Sequence, residues 1–201
     1  MERKIRQILS QRKRKSIRDS RFARAAVLLL LYQDKDQPAR HRPEPKGMAG
    51  GYHILFTRRT RKVEHHKGQI SFPGGEAHPK DETMEATALR ECFEEIGVRP
   101  EDVTMLGKLD DVKTFSSNYI VTPFVGAISY PYEFRVSTDE VGELFGVPVE
   151  AFLEKDRFKE GSWVYEGEIC PAYFYEYKGG IIWGATARIL KQFLNLFFSG
   201  E

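Results

Sequence analysis

Phe72-Pro73-Gly74-Gly75, a polar turn, and then Arg90-Glu91-Cys92-Phe93-Glu94-Glu95-Ile96-Gly97-Val98 form the stretch that decides the fold. A strand-like run, Gln69 to Phe72, ends at Pro73 and a glycine pair, where the backbone can turn sharply and approach a ligand with no Cβ in the way. A helix follows, with Asp81 or Thr83 as its N-cap and Gly97 just past its end. At about 100° per residue, Ala88, Leu89, Cys92, Phe93 and Ile96 fall on one apolar arc, while Glu91, Glu94 and Glu95 crowd the other side. Like charges at that spacing repel and raise one another's pKa. An isolated Glu-Glu pair is ordinary on a solvated helix. Beside a turn built for close approach, a hard divalent cation resolves the repulsion, and carboxylate oxygens suit Mg²⁺ or Mn²⁺.

The order Gly, acid-containing turn, Arg-Glu-x-x-Glu-Glu-x-Gly resembles the Nudix box, the loop-helix-loop signature of hydrolases that act on nucleoside diphosphates linked to another group. Gly75 stands one residue further upstream than the usual box places it, so the turn carries an insertion, and either Glu82 or Asp81 takes the part of the first box acid. A second pattern precedes the box. Thr57-Arg58-Arg59-Thr60, Val63 and His66-Lys67-Gly68-Gln69-Ile70-Ser71-Phe72-Pro73-Gly74-Gly75 resemble the signature of the coenzyme A pyrophosphatase branch of that superfamily. That branch tends to carry the longer turn, and His78-Pro79-Lys80-Asp81 is similar to its Asp-Pro-x-Asp, with His78 replacing the first Asp. The insertion therefore supports the branch.

The resemblance implies a divalent metal held by Glu91, Glu95 and Glu94, with Arg90 orienting carboxylates by charge-assisted hydrogen bonds. Substrate contacts are expected from Arg59, His66, Gln69, Gly74 and Gly75; Arg59, His66 and Lys67 set cationic or protonatable groups just upstream of the phosphate turn. Taken singly, each also has a bland use as a strand-end charge or loop residue. In the family a distal acid often completes the metal site or acts as base, and Glu140, in the Asp139-Glu140-Val141 setting, is the best match, ahead of Asp139 and Glu143. Glu140 or a box glutamate such as Glu94 is expected to take the proton of the attacking water. The implied reaction is hydrolysis of the pyrophosphate in coenzyme A or its derivatives to 3′,5′-ADP and 4′-phosphopantetheine, without a covalent enzyme intermediate. The rival readings are a Nudix enzyme for ADP-ribose, dinucleoside polyphosphates or nucleoside triphosphates, and an RNA-directed decapping or binding protein. Enzymes resembling this one are often homodimers.

With 201 residues, 41% apolar and 30% charged, the chain fits one domain with a real core. The most apolar segment, Ala25 to Tyr32, is of strand length, and residues 1–20 lack the apolar centre of a signal peptide, so a cytoplasmic protein with no membrane span is expected. Cys92 and Cys170 have no metal or disulfide spacing, and Cys92 reads as a small core residue. The net charge of +2 is uneven: residues 1–24 hold ten Lys and Arg against Glu2 and Asp19. Ile5, Ile8 and Leu9 mark a short helix there, packed on the domain with a solvated basic face rather than a nucleic-acid surface.

The expected architecture is α/β: a Nudix α/β/α sandwich over residues 22–198, with a mixed curved sheet between the box helix and the C-terminal helix. Residues 1–21 add the basic N-terminal helix. Ala25–Tyr32 and Tyr52–Arg58 read as paired strands around a long Gln33–Gly51 loop. Val103–Val112 and Tyr119–Ser129 read as strands, with Pro123 marking an edge or a bulge and Lys113–Asn118 a pocket rim. Ser137–Glu143 reads as an acidic loop ahead of a short helix through Leu153. Phe158–Glu166 and Ala172–Tyr177 read as a strand pair. The last helix, Gly184–Phe198, has an Ala185, Ile189, Phe193, Phe197 stripe expected to pack in the core. Tyr173, Tyr175 and Trp183 are expected in sheet packing, with adenine stacking the alternative.

Overall fold

The computed structural model describes residues 1–35, 51–60, 68–114, 117–165 and 167–198. Most of the expected Gln33–Gly51 loop, and His66, lie outside the described residues. Strand β1 (Ala23–Gln33) is the axis of the molecule. It runs parallel to β7 (Tyr119–Ile128) from the Ala23–Tyr119 pair to the Tyr32–Ile128 pair, and antiparallel to β2 (Tyr52–Arg59). Both of its faces are covered, which is why it reads as a continuous apolar run. Leu28 and Leu30 pack with Ala88, Cys92 and Ile96 of helix α2 (Met84–Ile96). Leu29 and Leu31 join the opposite core, with Ile5 and Leu9 of helix α1 (Glu2–Gln11) and Phe193 of helix α3 (Gly184–Phe198). The mixed sheet is thus sandwiched between helices. Cys92 is buried, and desolvation pushes its thiol up to about 12, as suits a packing residue.

The glycine pair does more than turn. After β3 (Ile70–Ser71) on β2, the chain crosses at Pro73 and continues as β4 (Gly74–Glu76), which pairs with β1 through Ala26–Gly75 and Val27–Gly74. Val141–Pro148, whose first three residues were expected as loop, is a strand, β8, paired with β2. Its glycines weaken the strand signal, but close approach demands the second of them: a Cβ on Gly146 would run into the Tyr32 hydroxyl. Phe158–Tyr165 (β9) and Glu168–Tyr177 (β10) form the expected hairpin, and with β11 (Gly180–Ile182) they make a separate three-stranded sheet. Among the described residues no helix is long and apolar enough to cross a membrane.

Two expectations need correction. Pro123 is at neither an edge nor a bulge of its own strand: β7 lies between β1 and β5 (Thr104–Lys108). Instead its partner breaks. The expected Val103–Val112 strand stops at Lys108 and resumes as β6 (Val112–Lys113), with Leu109 N–H donating to the Pro123 carbonyl (2.9 Å) at the gap. The residues freed by that break, Asp110 and Asp111, fasten the N-terminal segment. Arg12 pairs with Asp110; Arg14 and Arg24 pair with Asp111; and the Lys15 and Ile17 N–H groups donate to Asp110 (2.8 Å) and Asp111 (2.9 Å). Much of the basic charge is thereby spent inside the molecule. Burial raises the Asp111 carboxyl, but the Ile17 N–H, Thr122 and Arg14 outweigh it and hold the group below its ordinary value. Asp111→Ala leaves Arg14 and Arg24 without this buried partner, and an unfolding titration is expected to register a loss of about 3 kcal/mol. A change within 0.5 kcal/mol would show that the segment is not held there.

The second correction concerns Phe93. It is 50% exposed, and Thr87 takes the buried place beside Ala88 and Cys92.

Candidate active site

Thr83, not Asp81, caps α2: its hydroxyl accepts from the Ala86 N–H (3.1 Å). Gly97 ends the helix at φ 73°, a conformation glycine adopts without Cβ strain, with its N–H on the Phe93 carbonyl. Asp81 has a different task. Its carboxylate receives Arg90 Nε and Nη2 (3.0 Å each), the Thr87 hydroxyl (2.9 Å) and the His78 N–H (2.8 Å). The Arg90 hydrogen bonds are the chief reason that it is held well below the usual carboxylate range. Glu82 is exposed, so Asp81 is the turn acid that meets the box arginine. The other prong of Arg90, Nη1, reaches Glu91 Oε1 (2.8 Å) and Glu94 Oε2 (2.9 Å), while Nη2 also donates to the Glu76 carbonyl (3.1 Å). One guanidinium therefore ties turn, strand and helix together.

Beneath this clamp, α2 presses on β4. The Gly74 N–H donates to Glu95 Oε2 (3.2 Å), and a Cβ on Gly75 would collide with the Glu91 carboxylate. Glu95 is 3% exposed. Burial lifts its pKa to about 8, with the Glu91 and Glu140 charges adding to the rise; the Gly74 N–H and Arg59, whose Nη1 lies 4.0 Å from Oε1, oppose it. Glu91 is also raised, mainly by burial, with Arg90 opposing and Glu94 and Glu140 adding. Glu140 is brought close by its loop, where its carbonyl accepts from the Thr60 N–H (2.9 Å). Glu94 points outward, half exposed, onto Arg90.

Among the described residues no three acidic, imidazole or thiol groups are already drawn into a metal-ligating cluster. The donor set nonetheless fits a hard divalent cation. A buried carboxylate, Glu95, and a half-buried one, Glu91, face each other's charge and that of Glu140, and their opposing cations do not restore ordinary acidity.

A cleft of about 410 Å³ opens beside the glycine turn. Arg59, Gln69 and Gly74 line it, facing Trp163, Tyr173 and Trp183 from the second sheet and its exit. Thr114 and Ser117, from the expected rim, close one side. The Arg59 Nε is buried and has no hydrogen-bond partner among the described residues. Tyr175, by contrast, is buried in the core. The sequence reading missed Arg188. It lines the cleft from the middle of an amphipathic helix, where a single cation carries no local signal.

Clustered carboxylates, an arginine clamp and an adjoining cleft stand together on a helix-covered mixed sheet. The chain belongs to the Nudix family: the NUDIX domain model matches residues 23–169. It is 37% identical to a protein called an uncharacterized Nudix hydrolase NudL in Photorhabdus laumondii, over 69% of this chain and 74% of that one. The namesake in Yersinia pestis is likewise 37% identical, over 84% and 77%. Among solved structures, a MutT/nudix family protein from Enterococcus faecalis shares the fold with a TM-score of 0.53 at 15% identity, covering 93% of this chain and 66% of that one. The protein is thus a Nudix hydrolase, a pyrophosphatase for a nucleotide derivative, of a family that generally uses divalent metal ions.

Proposed function

We propose that this is a cytoplasmic pyrophosphatase for coenzyme A or its derivatives, working with Mg²⁺ or Mn²⁺ and releasing 3′,5′-ADP and 4′-phosphopantetheine or its acyl form. The observation that carries the reading is the buried Arg59 Nε, which has no hydrogen-bond partner among the described residues, in a cleft shared with Gln69 and Gly74. These are residues of the two motifs that resemble the coenzyme A branch, and here they converge on one space. An orphaned guanidinium donor beside the carboxylates calls for an acceptor such as a diphosphate oxygen.

Glu91 and Glu95, with Glu94 beside them on the same helix, would hold the metal. When bound, the metal neutralises diphosphate charge and lowers the pKa of a water. The chain's own groups do the rest. The Gly74 N–H fixes one oxygen of Glu95, and Arg90 fixes Glu91 against β4. Arg59 directs its charge at the diphosphate, Gln69 offers both a donor and an acceptor, and Gly75 leaves room for close approach. Glu140, the exposed member of the group, accepts the proton of the attacking water. His66 is assigned to the substrate by its motif alone.

The test is a substrate panel with Mg²⁺ or Mn²⁺: coenzyme A, acyl-coenzyme A, ADP-ribose, dinucleoside polyphosphates and capped RNA, with products identified by mass. Coenzyme A or its acyl form is expected to give the highest kcat/KM. Efficient cleavage of another member with coenzyme A untouched would overturn the assignment.

A further inference from the structure

One side of the cleft is a turn whose base is gripped from two directions. β6 ends at Lys113, and the chain comes back to Tyr119 at the start of β7. The Thr114 N–H donates to the Tyr119 carbonyl and the Tyr119 N–H to the Thr114 hydroxyl (2.8 Å each). The Ser117 hydroxyl donates to that of Thr114 (2.9 Å), and both residues line the cleft. β6 itself has only two pairs with β7, Val112–Val121 and Lys113–Ile120. A turn on so short a ladder takes its position from whatever else holds its base.

Lys113 is that base. Its Nζ donates to Asp19 Oδ2 (2.9 Å) and lies 4.5 Å from the centre of the Phe22 ring, both on the segment that precedes β1. Its carbonyl accepts from Arg188 Nη1 (2.7 Å) on α3. Asp19, Phe22 and Arg188 all fall outside residues 23–169, the part matched by the domain model, while Lys113 falls inside. The ion pair is sheltered: the Asp19 side chain is 14% exposed and that of Lys113 31%, which sets it apart from a solvated surface pair. Arg21, and after it Lys113, hold the Asp19 carboxyl well below the usual carboxylate range, so the pair stays charged at neutral pH.

We propose that Lys113 is a positioning residue for substrate binding: fastened by Asp19 and Phe22, it sets the Thr114–Ser117 side of the cleft, and through it the N-terminal extension tunes affinity without touching the substrate. The glutamates are held separately, by Arg90 and the Gly74 N–H, so loosening Lys113 acts on binding and spares the chemical step. The inference holds for any nucleotide derivative that the cleft takes.

The test is steady-state kinetics, with Mg²⁺, on the member of the substrate panel that the wild type cleaves best. Lys113→Met keeps an apolar stem against Phe22 and the carbonyl for Arg188, and loses only the ammonium. It is expected to raise KM about fivefold with kcat within about twofold. Asp19→Asn is expected to do the same, and the double variant to add nothing further, since both remove one link. Lys113→Arg, which keeps the charge for Asp19, is expected to recover most of the affinity. Unchanged KM in both single variants, a fall in kcat with KM kept, or additive effects in the double variant would sink the inference. A second readout needs no turnover: ADP is titrated into the metal-free proteins by calorimetry, and Lys113→Met and Asp19→Asn are each expected to weaken its binding about fivefold. If the wild type cleaves no member of the panel, the substrate assignment fails, and equal ADP affinity in wild type and variants would still overturn the role of Lys113.

Discussion

Glu95→Gln is expected to lower kcat by about a thousandfold or more, on the order of 4 kcal/mol of transition-state stabilisation, while the fold stays intact. The amide matches the carboxyl in shape and keeps an oxygen for the Gly74 N–H, so the loss isolates charge from packing. The same substitution is expected to stabilise the metal-free protein at alkaline pH. The folded pKa of Glu95, about 8, lies above its ordinary value. Between the two, the native state keeps a proton that the unfolded state has released, so the contribution of Glu95 to stability is full below its ordinary pKa and drains away as pH rises through about 8. Gln cannot ionise, so the melting temperature of the metal-free variant should exceed that of the wild type by a margin that grows over this interval. Near-normal turnover would remove Glu95 from the metal site; a margin that shrinks as pH rises would refute the burial argument.

The second large effect is structural. Gly74→Ala is expected to destabilise the protein by about 3 kcal/mol or more, read from urea unfolding. At φ 151° the position disfavours any L side chain, and a Cβ there would meet the Ala26 carbonyl and lie 2.6 Å from Val27 Cα. These are backbone atoms of the central strand, so nothing at the contact can rotate away. Relief comes only by moving β4 off β1. That also displaces the N–H which steadies Glu95, so the surviving folded fraction should turn over more slowly per molecule. A stable, fully active Gly74→Ala protein would contradict the described pairing.

The parts of this architecture that local chemistry dictates were readable in the chain. Thr83 and Gly97 bracket the box helix because capping uses neighbours only a few residues away. β1 declared itself because both its faces are apolar. The crowding of Glu91, Glu94 and Glu95 beside Arg90 was legible through the resemblance to the box, and the fold adds the orientation: Glu95 inward, Glu94 outward onto Arg90. What stayed hidden depends on distant partners. The start of β8 read as part of an acidic loop, and the reason for Gly146 in the same strand, the Tyr32 hydroxyl, lies on another strand. Phe93 falls on the apolar arc by angle, yet tertiary packing leaves it half exposed and buries Thr87 instead. Asp110 and Asp111 looked like part of a strand until Pro123, facing them across the ladder, is seen to coincide with the break. Arg188 reaches the cleft only because β10, β11 and α3 enclose a common space.

The fastening of the N-terminal segment on Asp110 and Asp111 has a consequence for the order of assembly. Arg12 and Asp110 are separated by 98 positions along the chain, so their meeting closes a very long loop, and the entropy of that closure is recovered only once the intervening sheet exists. The β1–β7 pairing closes a loop of nearly the same length, so closure alone does not order the two; the segment comes later because it finds no docking site until the β5–β6 break has formed. It is therefore the last layer to be laid down and the first to lift away in sub-global opening, a seal applied to a finished core.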